Sequence, residues 1–552
     1  MEKLKPKLFS VMKTYTKEQF VKDVVAGIIV AIIALPLSIA LAIASGVGPE
    51  AGIYTAIVAG FLVSFFGGSR VQIAGPTAAF ATIVAGIVMK DGTQGLMVAT
   101  IMAGILLIFM GLFRFGNLLK FIPYTITTGF TAGIAVTLFI GQIKDFAGIR
   151  YLHDEKPVET AQKLSALFAN LETVNWQAIL IGALALAILI IWPKFFKKIP
   201  GSLIAVVVTA TLVECLHLDV NTIGKAFANI KTGLPSLTLN SSIFSLEMIR
   251  SQLSNAVTIA ILAGIESLLS AVVADSMIGS KHRSNMELIA QGIANIGSAC
   301  FGGIPATGAI ARTAANIKNG GRTPISGMVH SLSLVLVVVF LMPLAKLIPM
   351  PCIAAILFQV AYNMSGWRGF VKLCKSSPKS DILVLLTTFC LTVVFDLVVA
   401  IEVGIVLAAI LFMKRMSDVT NVEGWKEVDD ESDPDSITLR QIPDHTVVYE
   451  ISGPMFFAAA GKILNISFKE DTRVLVIRMR SVNAIDATAM HNLETLWEDC
   501  HKKGIQIVLS HVNEQPMNVI TKAKFDEKIG KDNFCAHIDE ALERAKLLTA
   551  AK

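Results

Sequence analysis

A carboxylate stands in the middle of an apolar run. In L-A-G-I-E-S-L-L-S-A-V-V-A-D, residues 262–275, Glu266 has no charged neighbour before Asp275, and the run upstream to Ala256 is uncharged. On a helix Glu266 and Ser270 stand one turn apart and share a face with Ala263 and Ala274. A lone carboxylate in a low-dielectric setting carries a heavy desolvation cost and tends to take up a proton, which is what a proton carrier needs. An anion bound beside Glu266 and a proton on it would favour each other, and that reciprocity is the physics of symport. The plainer role is structural: a hydrogen-bonding or ion-pairing residue, with Arg312 as the partner.

Two further stretches could do chemistry. A-G-P-T-A-A-F-A (74–81) and G-I-P-A-T-G-A-I-A-R (303–312) each open a short apolar segment with proline and small residues. Aligning Thr77 with Thr307 pairs Ala78 with Gly308 and Ala79 with Ala309. Short, interrupted spans in matching positions of two halves point at a binding site, because half-helix N-termini carry free N–H groups and the positive end of the helix dipole. An anion is what such a site favours, so Thr77, Ala78, Ala79, Thr307, Gly308 and Ala309 are its expected contacts. Runs of this kind also occur where helices simply pack closely. Arg312, five residues beyond Thr307, would either attract the anion or snorkel toward the membrane surface.

The elements that must position these residues are membrane spans. The chain of 552 residues is 54% hydrophobic and 16% charged, with a mean hydropathy of +0.65, far above the usual soluble composition. About fourteen segments suit a bilayer core. The first seven are 24–45, 52–66, 73–89, 95–112, 125–143, 176–192 and 202–216; the second seven are 255–274, 288–301, 305–317, 327–344, 352–363, 382–395 and 397–413. The two short stretches open the third segment of each group. An odd number of spans per half makes the halves inverted. With the N-terminal lysines in the cytoplasm, Arg70, Arg114 with Lys120, Lys194 with Lys197 and Lys198, Lys281 with Arg283, Lys318 with Arg322, the group Arg368, Lys372, Lys375 and Lys379, and Lys414 with Arg415 fall on the same side, as the positive-inside rule requires. No cleavable signal peptide is expected. The seven cysteines are scattered without metal-ligand or disulfide spacing, and the net charge of +6 reads as topology rather than nucleic-acid binding.

Beyond residue 413 the composition changes. Residues 417–436 carry D-D-E-S-D-P-D and read as a linker; H-T-V-V-Y-E-I-S-G, T-R-V-L-V-I-R-M-R-S-V and I-Q-I-V-L-S-H-V then read as strands between amphipathic helices at 487–503 and 538–548. The expected division is a cytoplasmic segment 1–21, a transmembrane domain 22–414, a linker 415–440 and a small α/β domain 441–552.

V-A-G-I-I-V-A-I-I-A-L-P-L-S-I-A-L-A-I-A-S-G-V-G-P-E-A-G-I-Y-T-A (25–56), G-G-S-R-V-Q-I-A-G-P-T-A-A-F (67–80) and G-G-I-P-A-T-G-A-I-A-R-T-A-A-N (302–316) resemble the SulP family, the sulfate permeases and their eukaryotic solute carrier relatives. The soluble tail is similar to a STAS domain. I-E-S-L-L-S-A-V-V-A-D and S-K-H-R-S-N-M-E-L-I-A-Q-G most resemble the bacterial DauA type, a C4-dicarboxylate carrier. The resemblance implies a polytopic α-helical membrane protein, fourteen spans as a seven-plus-seven inverted repeat, a core domain moving against a gate domain, and a homodimer in the bacterial inner membrane with both termini cytoplasmic. It also implies a wall from Leu37, Ser38 and Leu41, where some relatives carry Gln for Leu37. It makes Arg312 a basic residue near the anion. Sodium-using bicarbonate carriers of the family place Asp where Glu266 stands and add oxygens from the eighth and tenth helices. Here those would be Glu266, Ser270 and Gly308, but Ile310 stands where a tenth-helix Thr ligand is expected, which favours the proton. In the tail, I-D-A-T-A-M (485–490) replaces an Asp-Ser-Ser-Gly loop; Thr488 is a phosphorylation candidate, with plain helix capping as the alternative.

Asp396 and Glu402 read as interfacial or gate-domain polar residues, and His330 as a packed, hydrogen-bonded histidine. No nucleophile or metalloenzyme constellation occurs, so neither enzymatic activity nor a cofactor is expected. The expected activity is secondary transport of a small anion, sulfate or a C4-dicarboxylate such as succinate, with a proton, or with sodium if the anion is bicarbonate; an exchanger or a channel of the same fold would use the same dipoles. A membrane-tethered signalling protein would instead act through a partner of the tail.

Overall fold

The computed structural model describes residues 4–116, 123–151, 157, 159–196, 199–227, 233–238, 245–395, 397–424 and 440–550. Lys3, Lys120, Lys197, Lys198, Asp396 and the acidic D-D-E-S-D-P-D stretch lie outside these residues. The chain falls into two compact units, Met1–Ile405 and Val406–Lys552.

In the first unit, helix α1 (Lys17–Ala44) starts at a Thr16 cap whose hydroxyl accepts from Gln19 N at 3.2 Å. α2 (Pro49–Phe66) has proline in its first turn, where no N–H is needed. A two-residue strand β1 (Ala74–Gly75) and a tight turn Ala78–Phe80 lead into α3 (Ala81–Leu112). α3 is two helices joined at a kink at Gly92, whose φ of +69° only glycine adopts readily, so the third and fourth segments meet there. Then come α4 (Tyr124–Ala147), α5 (Trp176–Phe195), α6 (Gly201–Cys215), α7 (Leu246–Ile278) and α8 (Ser284–Cys300). Strand β2 (Thr307–Gly308), α9 (Ile310–Lys318), α10 (Pro324–Leu341), α11 (Met350–Ser365), α12 (Trp367–Ser376) and α13 (Lys379–Val394) follow, and α14 (Leu397–Val419) begins in this unit and ends in the second.

Every one of the anticipated segments contains a helix. Among the described residues six helices are long and apolar enough to cross a bilayer by themselves, and Gly201–Cys215 and Pro324–Phe340 are shorter apolar ones. The main apolar cluster joins α1, α2, α4, α5, α10 and α11 through Leu41, Ile53, Leu138, Leu189, Leu334 and Leu357. α3 and α7 pack on each other, as do α3 and α8. These helices surround β1 and β2, which pair antiparallel with Ala74 opposite Gly308 and Gly75 opposite Thr307.

The second unit is a five-stranded sheet in the order β3 (Asn421–Gly424), β4 (Thr446–Ser452), β5 (Val474–Ser481), β6 (Gln506–Ser510), β7 (Phe534–Cys535). β3 is antiparallel to β4 and the remaining pairs are parallel. Strand β5 is buried on both faces. Leu475, Ile477 and Met479 pack with Leu493 and Leu496 of α15 (Ala487–Lys502), while Val474 and Val476 pack with Ile538 and Leu542 of α16 (Ile538–Ala550). The range 415–440, expected as linker, differs at its start: residues 415–419 finish α14, and 421–424 form the sheet's antiparallel edge strand. A charged four-residue strand carries too little apolar alternation to be read as one.

Candidate anion-binding site

The pairing of β1 with β2 brings the two Pro-containing stretches together with their helices leading away. Thr77 is the cap residue before Ala78, and Ala309 the cap residue before Ile310. The backbone therefore matches Thr77 with Ala309, not with Thr307, because the shared Thr-small-small residue types are out of step with the helix starts.

That offset decides which donors are available. Gly308 N–H donates to Ser267 Oγ at 3.0 Å and Ala309 N–H to Ile73 O at 2.9 Å. Thr307 Oγ1 bonds Ala263 O at 3.0 Å and Ser267 Oγ at 2.8 Å. These three expected contacts are therefore engaged by the scaffold in this structure. The first amides of the two helices, Ala78 and Ala79 on one side and Ile310 and Ala311 on the other, have no acceptor among the described residues. Ala78 and Ala79 are nevertheless buried, whereas Thr77 is partly exposed and Ile310 is 45% exposed.

Glu266 projects from α7 to the same place. Its Oε2 accepts from Thr77 Oγ1 at 3.1 Å, so Thr77 does not cap its own helix. Ser270, expected beside it, instead meets Thr313 Oγ1 at 3.4 Å, and Thr313 accepts from Ile73 N at 3.0 Å. Ser270 braces the start of β1 and adds no oxygen to Glu266.

Arg312 does not snorkel: it is 1% exposed. Its Nη2 donates to Pro76 O at 3.1 Å and Ser38 Oγ at 3.4 Å, and its Nε and Nη1 have no partner among the described residues. The guanidinium lies behind Gly75, where an added Cβ would stand 2.2 Å from Nη1. No Glu266–Arg312 ion pair forms; each has its own partners. A buried cation behind two helix N-termini makes this spot positive from three directions. Ser38 holds Arg312, Leu41 is buried at 2% exposure in the apolar cluster, and Leu37 packs against that cluster while partly exposed.

The scaffold below the site escaped the sequence reading. Glu287, fully buried on α8, accepts from Gly68 N at 2.8 Å, Ser69 N at 3.0 Å and Gln72 Nε2 at 2.9 Å. Asn295 takes both sides of Ala306, donating to its carbonyl at 2.9 Å and accepting from its N–H at 2.8 Å. Asn316 Nδ2 donates to Val71 O at 2.9 Å. Polar residues recurring on the otherwise small-residue helix 284–300 were the available signal. His330 is fully buried as expected, but neither ring nitrogen has a hydrogen-bond partner among the described residues. Glu402 is exposed. In the second unit Thr488 is exposed in the first turn of α15, and the cap is Asp486, which accepts from Ala489 N at 2.9 Å and Phe457 N at 2.7 Å.

Comparison with known proteins agrees with this architecture. The profile of the sulfate permease family matches residues 20–388, and that of the STAS domain residues 436–541. A Bacillus subtilis (strain 168) protein named "Putative sulfate transporter YvdB" is 38% identical over 96% of this chain and 98% of its own. The bicarbonate transporter BicA of Synechocystis sp. is 31% identical over 91% of this chain and 90% of its own. The solved transmembrane domain of a cyanobacterial BicA superposes with a TM-score of 0.63 at 30% identity, covering 72% of this chain and 98% of that one. Murine solute carrier 26 family member A9, an anion transporter solved in the inward-facing state, gives 0.87 at 17% identity, covering 99% and 94%, a likeness of fold. The chain belongs to the sulfate permease family: it is a membrane anion transporter, not an enzyme, with a C-terminal STAS domain.

Proposed function

We propose that the chain is a secondary active carrier that takes up a small oxyanion together with a proton, with sulfate as the first substrate to test and a C4-dicarboxylate as the second. The observation that carries this reading is the Thr77–Glu266 hydrogen bond at 3.1 Å, which puts an ionisable group at the start of a helix whose first amides lack acceptors. An anion drawn to Ala78, Ala79, Ile310 and Ala311, with Arg312 behind them, would meet the charge of Glu266. A proton there removes the repulsion, so each ligand promotes the other. Rigid movement of the helices carrying this crossing past the others, in a homodimer in the bacterial inner membrane with both termini cytoplasmic, would then expose the loaded site to either side.

A sodium-coupled bicarbonate carrier is the second reading, favoured by the likeness to BicA. Against it, Ser270 turns to Thr313, and apolar Ile310 occupies the open edge where a further oxygen is needed. The test is uptake of labelled sulfate, succinate and bicarbonate into proteoliposomes under a pH gradient or a sodium gradient, for wild type and Glu266→Gln. Gradient-driven uptake of one anion that needs the proton and is lost in Glu266→Gln, while binding survives, is the expected result. Uptake that follows sodium, or that ignores both gradients and the substitution, overturns proton symport.

A further inference from the structure

The helix α12, W-R-G-F-V-K-L-C-K-S, has no buried residue although it sits between two apolar helices. At about 100° per residue, Trp367, Phe370, Val371, Leu373 and Cys374 fall on one arc and Arg368, Lys372 and Lys375 on the opposite one. The apolar arc is only partly used. Phe370 meets Phe389 of α13 with ring centroids 5.3 Å apart, while Trp367 remains 48% exposed. The indole N–H of Trp367 donates to the Tyr362 hydroxyl at 3.3 Å, and the Arg368 guanidinium lies 5.5 Å from the indole ring. None of Arg368, Lys372, Lys375 and Lys379 has an ion-pair partner among the described residues.

A two-sided helix with Trp and Tyr at its apolar edge and cations without ion-pair partners opposite is built for the boundary between acyl chains and headgroups. α12 also lies on the side to which the loop charges assign the N-terminus. We propose that α12 is a binding surface for anionic phospholipid headgroups: Trp367 and Val371 sit at the acyl boundary, and Arg368, Lys372, Lys375 and Lys379 engage the phosphates. α11 and α13, which α12 joins, both pack on α4, so bound lipid would fix that group of helices against the leaflet.

The test uses the full-length chain in neutral detergent, mixed with phosphatidylglycerol or phosphatidylcholine, with retained lipid per protein counted by native mass spectrometry. Wild type is expected to retain phosphatidylglycerol in several-fold excess, and R368Q/K372Q/K375Q/K379Q to lose about five-fold or more of that excess. The charge-keeping set R368K/K372R/K375R/K379R should retain it, and single K372Q or K375Q should show partial loss. These groups are exposed, so the variants keep the fold; matching elution and near-UV circular dichroism check this. Equal retention of both lipids by wild type, or an undiminished excess in the glutamine variant, overturns the proposal. So does displacement of phosphatidylglycerol by inorganic phosphate at equal charge, which would make the patch a free-anion site. The readout is lipid retention, so it stands or falls independently of which anion is carried.

Discussion

Ser267→Ala against Ser270→Ala separates a scaffold read from spacing from one read from contacts. Both hydroxyls are fully buried on α7. Ser267 accepts from Gly308 N at 3.0 Å and bonds Thr307 Oγ1 at 2.8 Å, and Thr307 has a second partner in Ala263 O. Its removal leaves the Gly308 amide without an acceptor inside the protein, at a cost of about 1–3 kcal/mol. The Thr307 hydroxyl keeps its bond, so little is added there. If half of a 3 kcal/mol penalty falls on the pairing of β2 with β1, anion affinity drops roughly ten-fold, at about 1.4 kcal/mol per decade. Ser270 forfeits one hydroxyl contact at 3.4 Å, the long limit of a hydrogen bond, so its variant should stay within about two-fold of wild type. Equilibrium binding of labelled sulfate and bicarbonate to purified protein, with thermal unfolding alongside, measures both. A Ser270→Ala defect equal to or greater than that of Ser267→Ala would refute the reasoning.

Arg312→Gln should weaken anion binding by roughly 10–100-fold, since it removes a buried charge and a charge-assisted bond to Pro76 O, and Arg312→Lys should not restore it, because an ammonium cannot reproduce the guanidinium fork; saturation binding of the same anions reads both. Gly308→Ala places a methyl 2.1 Å from Gln72 Nε2, which Glu287 holds, and should lower the melting temperature and binding together. His330→Leu removes no hydrogen bond and should leave the melting temperature unchanged or raised; a large drop would reveal a polar partner of the ring. In the soluble unit, burial pushes the Cys500 thiol up to about 12, so maleimide at neutral pH should label it only after unfolding. Hydrogen bonding from Arg440 holds Asp539 below the usual carboxylate range. Its contribution is full above the unfolded Asp value and is lost as pH falls through the lower folded value, so Asp539→Asn should act only above acid pH, by well under about 1 kcal/mol for so exposed a pair.

Apolar length made the helices of the first unit legible, because the bilayer leaves few alternatives to a helix. The division between segments 73–89 and 95–112 and the strands of the second unit were legible for the same reason: one residue type or one alternation dominates locally. The crossing of the two stretches was legible in part. Glu266, Thr77 and Arg312 stand out as polar residues in apolar or small-residue runs, and all three meet at the crossing. The contacts of the second stretch were not, because Thr307, Gly308 and Ala309 repeat the residue types at Thr77 but not their position relative to the helix start. Which serine of I-E-S-L-L-S serves the loop was equally hidden. Helical spacing says that Ser270 shares a face with Glu266, but only the position of β2 says that Ser267 is the one within reach.

The same offset explains how one crossing can be both rigid and responsive. On the β2 side, Ser267, Ala263 and Ile73 hold Thr307, Gly308 and Ala309, and Asn295 holds Ala306 before them. On the β1 side, the residue at the equivalent cap, Thr77, spends its hydroxyl on a group that can gain or lose a proton. Protonation of Glu266 would weaken its pull on the Thr77 hydroxyl and free that hydroxyl to turn toward an anion or to cap its own helix. Thr77→Val should therefore lessen the influence of pH on anion binding more than it lowers the affinity at the most favourable pH, whereas Thr307→Val should lower affinity and stability with the pH profile unchanged. Binding isotherms collected across pH for the two variants separate these outcomes. Identical pH profiles for Thr77→Val and wild type would place the proton somewhere other than the Thr77–Glu266 pair.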